Sequence, residues 1–193
     1  MHKSFLHDTK VRKNILSTNF IPVLTHLINV LFVCLGNICR SPVAESVFRQ
    51  LVADAGLAAQ VECDSAGTAS YHLGDLPDRR TRNNALEHGL TLTHRARRLI
   101  GEDLGLFTYI VTMDSANFEA ILKLSHRSVG LIPDENVFLL REFDPVVSDQ
   151  PDVPDPYYEG PEVFEEVYQI VLRCCRQLLA YLIQEHTLTL QPA

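Results

Sequence analysis

The sequence has no hydrophobic run long enough to cross a membrane. Its most apolar stretch, residues 21–35, is interrupted by Pro22, Thr25, His26 and Asn29, well short of the ~20 apolar residues that a membrane helix needs. Positive charge is also scarce, because 17 Lys and Arg residues stand against 24 Asp and Glu residues, a formal net charge of -7. These features argue against a membrane protein and against a general binder of nucleic acid or anionic lipid.

Cysteines occur in an odd number, and no convincing secretory signal accompanies them. The five are Cys34, Cys39, Cys63, Cys174 and Cys175. Such a set does not indicate a disulfide framework, so we expect a cytoplasmic protein. Adjacent residues on a helix point apart, and no cysteine and histidine set has zinc-like spacing. We therefore expect no metal and no cofactor, with Cys174 and Cys175 as core and partly exposed thiols.

Length and composition indicate one folded domain. The chain has 193 residues and a mass of 21.7 kDa, with 46% hydrophobic and 21% charged residues, which excludes a mostly disordered or collagen-like chain. We expect residues 1–28 to be an N-terminal extension of unknown role or the product of a misplaced start codon, residues 29–186 the domain, and residues 187–193 a tail. A signal peptide is the competing interpretation of the extension, but no A-x-A-like cleavage site precedes Val30.

Apolar runs alternate with amphipathic segments from Val30 onward. Strands are predicted at residues 30–34, 61–66, 109–113 and 137–140, and helices from Ser41 to just before Gly56, up to His88-Gly89, at 115–124 and at 161–185. Ser41 is expected to cap the first of these helices, with Pro42 in its first turn. The alternation predicts an α/β fold: a three-layer, doubly wound, four-stranded parallel sheet with helices on both faces.

The segment VCLGNICRSP, residues 33–42, carries the clearest functional signal. Cys34 ends a buried strand, and Arg40 follows six positions later, just before a helix. At the carboxyl end of a parallel strand, a loop faces the crevice where open α/β sheets bind ligands, and its backbone N–H groups can form an anion nest. We therefore predict a phosphate-binding loop after the first strand, formed by Leu35, Gly36, Asn37, Ile38, Cys39, Arg40 and Ser41.

The same loop favours the thiolate of Cys34 and so its use as a nucleophile. Backbone donors, the helix dipole and Arg40 all stabilise negative charge, and Arg40 can bind two phosphoryl oxygens bidentately. Gly36 permits close approach of the backbone, and Asn37 tolerates a left-handed conformation. Ser41 can hydrogen-bond the Cys34 sulfur or cap the helix.

The loop CLGNICRSP resembles the active-site signature of the low-molecular-weight protein tyrosine phosphatases. Asp155-Pro156-Tyr157-Tyr158 resembles the general-acid loop of that family. Further similar motifs follow the order that the family shows: DSAGT at 64–68, LPD at 76–78, His94-x-Ala96-Arg97 and Met113-Asp114. The resemblance covers roughly residues 29–185. It implies hydrolysis of aryl phosphates and of phosphotyrosine in protein substrates, and leaves the oligomeric state open.

The resemblance also implies catalytic roles for three residues. Cys34 would form a phosphocysteine, Arg40 would bind the phosphoryl group, and Asp155 would protonate the leaving phenolate and then deprotonate the hydrolytic water. By itself, Asp155 would be interpreted as part of an Asp-Pro turn. The Cys34 loop makes the catalytic interpretation the stronger one.

Residues around the loop have two interpretations each. Tyr157 and Tyr158 would line the mouth of the pocket, with Tyr71 on the opposite wall, although Tyr158 could equally pack within its loop. His94 resembles a family position that supports the loop together with Asn37 and Ser41, but it could instead cap a surface helix.

Charged residues elsewhere also leave alternatives. Asp114 is expected to cap the next helix rather than take part in catalysis. A local excess of arginine either attracts phosphorylated substrates or forms solvated surface: Arg79, Arg80, Arg82, Arg95, Arg97 and Arg98.

Cys39 shares the phosphate-binding loop with Cys34 and is a candidate redox partner. Five residues of separation can bring two Cα atoms to the ~4.4–6.8 Å that a disulfide tolerates. With the family resemblance, this predicts that Cys39 captures the sulfenic acid formed when peroxide oxidises Cys34. The alternative is a small apolar residue that supports the loop.

Other functions on the same fold compete with phosphotyrosine hydrolysis. An arsenate reductase would need another thiol delivered to Cys34, and no cysteine lies between Cys63 and Cys174. In the protein arginine phosphatases, the position of Ile38 resembles a threonine, so the apolar side chain favours an aromatic phosphoester. A non-catalytic phosphate-binding module or a phosphocysteine carrier would not need both Arg40 and Asp155.

Overall fold

The computed structural model describes residues 27–127, 134–146 and 149–190. Strands and α-helices alternate along them: β1 Ile28–Cys34, α1 Arg40–Asp54, β2 Val61–Gly67, α2 Arg79–Glu87, α3 Asp103–Leu106, β3 Tyr109–Thr112, α4 Ser115–Arg127, β4 Val137–Leu139 and α5 Pro161–Glu185. The strands form one parallel sheet in the order β2-β1-β3-β4. The predicted four-stranded parallel sheet is confirmed.

Side chains of β1 alternate between two cores, one on each face of the sheet. Val30 and Phe32 pack into the larger core with residues of α1 and α5, where Phe32 meets Phe48 edge to face with ring centroids 5.5 Å apart. Leu31 and Val33 pack into the smaller core on the opposite face, beside residues of α3 and α4. Burial on both faces explains the uninterrupted apolar run of β1 and confirms the three-layer architecture.

The first helix begins one residue before its predicted start. Cys39 occupies the N-cap position without a capping side-chain hydrogen bond, so the expectation that Ser41 caps α1 is wrong. The Ser41 hydroxyl instead contacts the Cys34 sulfur. The helix ends as predicted, with Gly56 just beyond it at φ 68°, in the left-handed region that glycine adopts without strain. Short α3 was not predicted, because four residues carry no periodicity.

The structure describes contacts near both predicted boundaries of the domain. Ile28 pairs with Val61, so β1 begins two residues before Val30 and within the predicted extension. Residues 1–26 of that extension lie outside the described residues. Near the other end, the Gln60 side chain donates to the Thr189 carbonyl oxygen at 2.9 Å. Among the helices that the structure describes, none is both long enough and apolar enough to span a membrane.

Adjacent cysteines in α5 both lie in the core. Cys174 and Cys175 have no exposed surface, so the expectation of a partly exposed thiol is wrong. The buried face of this helix is wide enough to include both positions, because α5 packs on α1 and on the 3-10 helix Leu140–Phe143. Burial raises the pKa of the Cys174 thiol to about 12, so the thiol stays neutral.

Strand connections place a crevice at the carboxyl end of β1. From β1 the chain crosses to β2 on one side, whereas β3 pairs with β1 on the other side. In open α/β sheets, such a reversal of strand order opens a ligand crevice. The Val153 N–H donates to the Met113 carbonyl oxygen at 2.8 Å, which brings the proline-rich segment from residue 151 onward to the same edge.

Candidate active site

Cys34 lies at the carboxyl end of β1, and its sulfur has two hydrogen-bonding neighbours. The Asn37 N–H donates to Sγ at 3.2 Å, and Ser41 Oγ lies 3.0 Å from it. Asn37 adopts the left-handed conformation, with φ 56°, and this turn aims its N–H back at the sulfur. A sulfur that receives hydrogen bonds is stabilised as a thiolate.

Hydrogen bonds behind the loop determine which way the Ser41 hydroxyl points. The Asn37 side-chain amide donates to Ser41 Oγ and to Ser65 Oγ, both at 2.9 Å. Because Ser41 Oγ accepts this bond, its own proton is free to face Cys34. Ser65 in turn donates to Glu45 Oε2 at 2.7 Å. The loop is therefore supported by a buried chain of hydrogen bonds in which each donor meets an acceptor.

His94 completes this network from a separate segment. Asn37 Oδ1 accepts the Arg97 backbone N–H at 2.9 Å, which defines it as the amide oxygen, so His94 Nε2, 2.7 Å away, donates to it. His94 Nδ1 lies 3.0 Å from Glu45 Oε2, so the ring bridges Asn37 and Glu45. No described helix begins at His94, so the alternative of a surface cap is wrong.

Glu45 joins His94 to Ser65 within the network. Burial disfavours its carboxylate, but hydrogen bonds from His94 and Ser65, with the charges of His94 and Arg49, outweigh burial and lower the pKa of Glu45. Neither Glu45 nor Ser65 was predicted as a site residue. The position of Glu45, one helical turn after Ser41, is the signal that could have identified it.

Gly67 lets the end of β2 approach the loop closely. A Cβ atom there would lie 2.8 Å from the Leu35 carbonyl oxygen and 3.2 Å from Asn37 Cβ. Residues just after it donate to the loop, from the Thr68 N–H to the Cys34 oxygen and from the Ala69 N–H to the Leu35 oxygen, both at 2.9 Å. The glycine of the DSAGT motif therefore has a steric role beside the site.

Arg40 is buried and contacts two carboxylates. Its Nη1 donates to Asp114 Oδ2 at 2.7 Å and to the Val153 carbonyl oxygen at 3.2 Å, and its Nη2 donates to Asp155 Oδ2 at 2.9 Å. Burial disfavours the guanidinium, but the negative charges of Cys34, Asp155 and Asp114 outweigh burial and raise the pKa of Arg40. A permanent cation is thus held beside the Cys34 sulfur.

Asp114 has two contacts at once. Its Oδ1 accepts the Asn117 N–H at 2.7 Å and so caps α4, as expected, while its Oδ2 pairs with Arg40. The contact with Arg40 was not predicted. The two residues are 74 positions apart, and no local pattern connects them.

A cavity of about 300 Å³ opens above Cys34. Its lining residues come from the loop and from two facing segments: Cys34, Leu35, Gly36, Ile38, Cys39, Arg40, Tyr71, His72, Asp155, Tyr157 and Tyr158. The rings of Tyr158, Tyr71 and Tyr157, which are 92%, 80% and 36% exposed, are available at its mouth. Asn37, Ser41 and His94 do not line it and lie behind the loop instead.

His72 also lines the cavity and was not predicted. Its ring lies 6.1 Å from that of Tyr157 between centroids, and its Nδ1 lies 3.3 Å from Asp75 Oδ2. A Cβ at Gly36 would lie 3.3 Å from the His72 ring, so glycine leaves room for this wall. No periodicity or motif in the sequence pointed to this histidine.

Cys39 is buried between the cavity wall and an apolar cluster. It packs with Ile38, Ala96 and Phe164 in a small apolar cluster. Burial raises the pKa of the Cys39 thiol to about 12. The packing agrees with a supporting role for Cys39, and its place in the cavity wall beside Cys34 keeps the redox interpretation open.

Several of the clustered arginines bind protein groups. Arg97 donates to Asp64 at 2.9 Å and to Asp103 at 3.0 Å, and it is half-buried. Arg82 and Arg95 donate to backbone carbonyl oxygens. Arg82 and Arg97 are half-buried, so solvated surface does not describe these two, whereas Arg95 is exposed.

One group of side chains in the described residues has metal-ligand chemistry, and it consists of Glu45, Asp64 and His94. Its atoms lie within 4.8 Å of one another. Asp64 already accepts from Arg97 and from the Ser65 N–H. Because His94 and Glu45 also bind each other and residues behind the loop, the arrangement fits a hydrogen-bond network better than a metal centre.

Comparisons with known proteins agree with the geometry. The family model described as low molecular weight phosphotyrosine protein phosphatase matches residues 29–188. A protein of that name from Rattus norvegicus is 42% identical over 151 residues, which are 78% of this chain and 93% of that protein. The crystal structure of YfkJ from Bacillus subtilis matches with a TM-score of 0.75 and 39% identity, over 82% of this chain and 96% of that chain. The crystal structure of a drosophila arginine phosphatase matches with a TM-score of 0.74 and 31% identity, over 79% of this chain and 96% of that chain.

Proposed function

The chain belongs to the low molecular weight phosphotyrosine protein phosphatase family, and we propose that it hydrolyses phosphotyrosine in protein substrates. In this proposal Cys34 is the nucleophile, Arg40 the phosphoryl ligand and Asp155 the general acid. One observation carries it: the Cys34 sulfur, hydrogen-bonded from Asn37 and Ser41, lies in a cavity rimmed by tyrosines and walled by Arg40 and Asp155.

In the first step, the Cys34 thiolate attacks phosphorus and the bond to the phenolic oxygen breaks. Charge on the phosphoryl oxygens is stabilised by Arg40 and by N–H donors at the start of α1. Arg40 Nη2 exchanges Asp155 for a phosphoryl oxygen, while Asp114 continues to hold Nη1. Once released from the guanidinium, the Asp155 carboxylate takes a proton from solvent, and Oδ2 delivers that proton to the leaving phenolate.

In the second step, water attacks the phosphocysteine. Asp155, now a carboxylate, takes a proton from this water, and the phosphorus–sulfur bond breaks to release phosphate. The sulfur leaves as a thiolate, which accepts hydrogen bonds from the Asn37 N–H and the Ser41 hydroxyl. The same two donors therefore favour attack and departure of Cys34.

Tyrosines at the cavity mouth support an aromatic substrate. Tyr71 and Tyr157 offer faces against which a phenyl ring can stack, and Ile38 supplies an apolar surface at the cavity wall. Hydrolysis of phosphoarginine is the second candidate, because a drosophila arginine phosphatase has the same fold at 31% identity. The guanidinium of that substrate would need polar partners, which Ile38 does not supply.

Turnover of four substrates tests the proposed function. Purified protein should hydrolyse a phosphotyrosine peptide and p-nitrophenyl phosphate with kcat/KM at least about 100-fold above that for a phosphoarginine peptide. Reduction of arsenate with a thiol reductant should stay at background. Preference for phosphoarginine would replace phosphotyrosine with the second candidate, and binding of phosphate without turnover would indicate a binding module.

Free thiols support a reducing compartment for this enzyme. All five cysteines are unpaired, and four of them are buried. We place the protein in the cytoplasm, with phosphotyrosine-containing proteins as partners; the net charge of -7 argues against nucleic acid.

The proposed redox role of Cys39 should depend steeply on pH. Peroxide oxidises the Cys34 thiolate to a sulfenic acid, and the Cys39 thiolate attacks its sulfur to form a disulfide and expel hydroxide. Because the pKa of Cys39 is about 12, its thiolate fraction rises with pH. The rate of disulfide formation should therefore rise about tenfold per pH unit between roughly pH 7 and 9. Peptide mass mapping of samples quenched at each pH measures it.

Recovery of activity provides the matching control. After peroxide and then thiol reductant, wild-type protein and Cys63→Ser should regain most of their own starting activity, whereas Cys39→Ser should regain much less. Equal recovery by Cys39→Ser, with no Cys34–Cys39 peptide found, would leave Cys39 as a supporting residue only.

A further inference from the structure

Arg80 lies in the first turn of α2 and joins several parts of the site. Its Nη2 donates to the Tyr157 carbonyl oxygen at 2.8 Å, and its Nη1 donates to the Glu159 carbonyl oxygen at 3.4 Å. Its Nε and Nη2 also donate to the Asp78 carboxylate, both at 3.1 Å. The guanidinium carbon lies 4.7 Å from the centroid of the Phe164 ring, within the range of a cation–π contact.

Two of these partners rest on the phosphate-binding loop. The Asp78 N–H donates to the Ile38 carbonyl oxygen at 2.8 Å. Phe164 is buried in the apolar cluster that contains Ile38 and Cys39. Arg80 therefore connects the loop that would bind phosphate with the segment that follows Asp155.

Few hydrogen bonds hold that segment in place. Within the described parts of the chain, only two side chains donate hydrogen bonds to residues 154–159 from other segments. Arg40 donates to the Asp155 carboxylate, and Arg80 donates to the carbonyl oxygens of Tyr157 and Glu159. The Tyr157 N–H donates to Asp155 Oδ1 at 3.2 Å. A shift of the Tyr157 backbone therefore moves the Asp155 carboxyl group. In the proposed reaction Arg40 turns to the phosphoryl group, which leaves Arg80 as the remaining tether.

We propose that Arg80 is the positioning residue for the general acid, holding the 155–159 segment so that Asp155 reaches the leaving oxygen. This inference rests on the proposed function. Four of the five guanidinium N–H groups are directed at protein oxygens, which favours a tether over a substrate ligand. Lysine cannot replace it, because an ammonium group lacks the planar fork that reaches three partners.

Substitution of Arg80 should impair acid catalysis while phosphate binding persists. Its side chain is exposed, so its loss should not unfold the domain. For Arg80→Ala, kcat/KM for phenyl phosphate should fall about 10-fold, whereas kcat/KM for 2,4-dinitrophenyl phosphate, whose leaving group needs no proton, should change less than about 2-fold. The inhibition constant of inorganic phosphate should stay within about 2-fold. Arg80→Lys should recover only part of the loss.

Arg79 offers a matched control in the same turn. It is exposed, and the described residues provide it with no hydrogen bond or ion pair. Arg79→Ala removes the same charge and should leave all three quantities unchanged. A weakening of phosphate inhibition in Arg80→Ala, an equal loss on both substrates, or a loss confined to the KM of acidic phosphopeptides would overturn the positioning role.

Hydrogen exchange tests the tether without any turnover. The backbone amides of Asp155, Tyr157, Tyr158 and Glu159 should exchange several-fold faster in Arg80→Ala than in wild type or Arg79→Ala. Unchanged exchange would overturn the inference even if activity fell. Absence of turnover by the wild-type protein would instead contradict the proposed function, while the exchange comparison would still decide whether Arg80 holds this segment.

Discussion

Cys34→Ser should reduce turnover of p-nitrophenyl phosphate by roughly 10⁴-fold or more, to near background. The Asn37 N–H and the Ser41 hydroxyl stabilise a thiolate at this position, but a serine hydroxyl stays protonated at neutral pH and is a weak nucleophile. The measurement is the initial rate at saturating substrate. Rapid acid quench of wild-type protein with labelled substrate should also trap phosphate on sulfur.

Phosphate binding separates loss of the nucleophile from loss of the fold. Cys34→Ser keeps Arg40 and the backbone donors, so calorimetry should find inorganic phosphate bound within a few-fold of the wild-type affinity. Cys63→Ser alters a thiol outside the cavity and should retain near wild-type turnover. Wild-type turnover by Cys34→Ser, after contaminating phosphatase has been removed, would exclude the phosphocysteine mechanism.

Asp155→Ala should slow reactions with poor leaving groups far more than reactions with good ones. Protonation of a phenolate contributes about 10²–10⁴-fold when the phenol is weakly acidic and little when it is strongly acidic. We therefore expect kcat/KM for phenyl phosphate to fall by about 10²-fold or more, and for 2,4-dinitrophenyl phosphate by less than about 10-fold. A series of substituted phenyl phosphates measures the slope of log kcat/KM against leaving-group pKa, which should become steeper in the variant.

Glu159→Ala is the matched control for Asp155→Ala. It removes an exposed carboxylate from the same segment but keeps the backbone oxygen that Arg80 binds. Its slope should equal that of the wild type. A loss of the same size at every leaving group in Asp155→Ala would assign Asp155 to placement of Arg40, with which it forms an ion pair, rather than to proton transfer.

The local parts of the site could be predicted from the sequence because they are contiguous in the chain. A buried strand, a short loop and a helix start lie within residues 28–54, and strand and helix periodicity place Cys34 and Arg40 at the carboxyl edge of the sheet. Asp155, Tyr157 and Tyr158 were predicted because their motif resembles a loop of a known family, and not from hydrophobic periodicity. The parallel sheet followed from alternating apolar runs, with element ends correct to within a few residues.

Only the tertiary structure decided what each of these side chains contacts. Ser41 was a plausible cap for α1, yet its hydroxyl faces the Cys34 sulfur because Asn37 donates to it. Arg40 meets Asp114 and Asp155 from 74 and 115 positions away. Such contacts depend on how strands and loops converge at one edge of the sheet, and periodicity reports only which face of its own element a residue occupies.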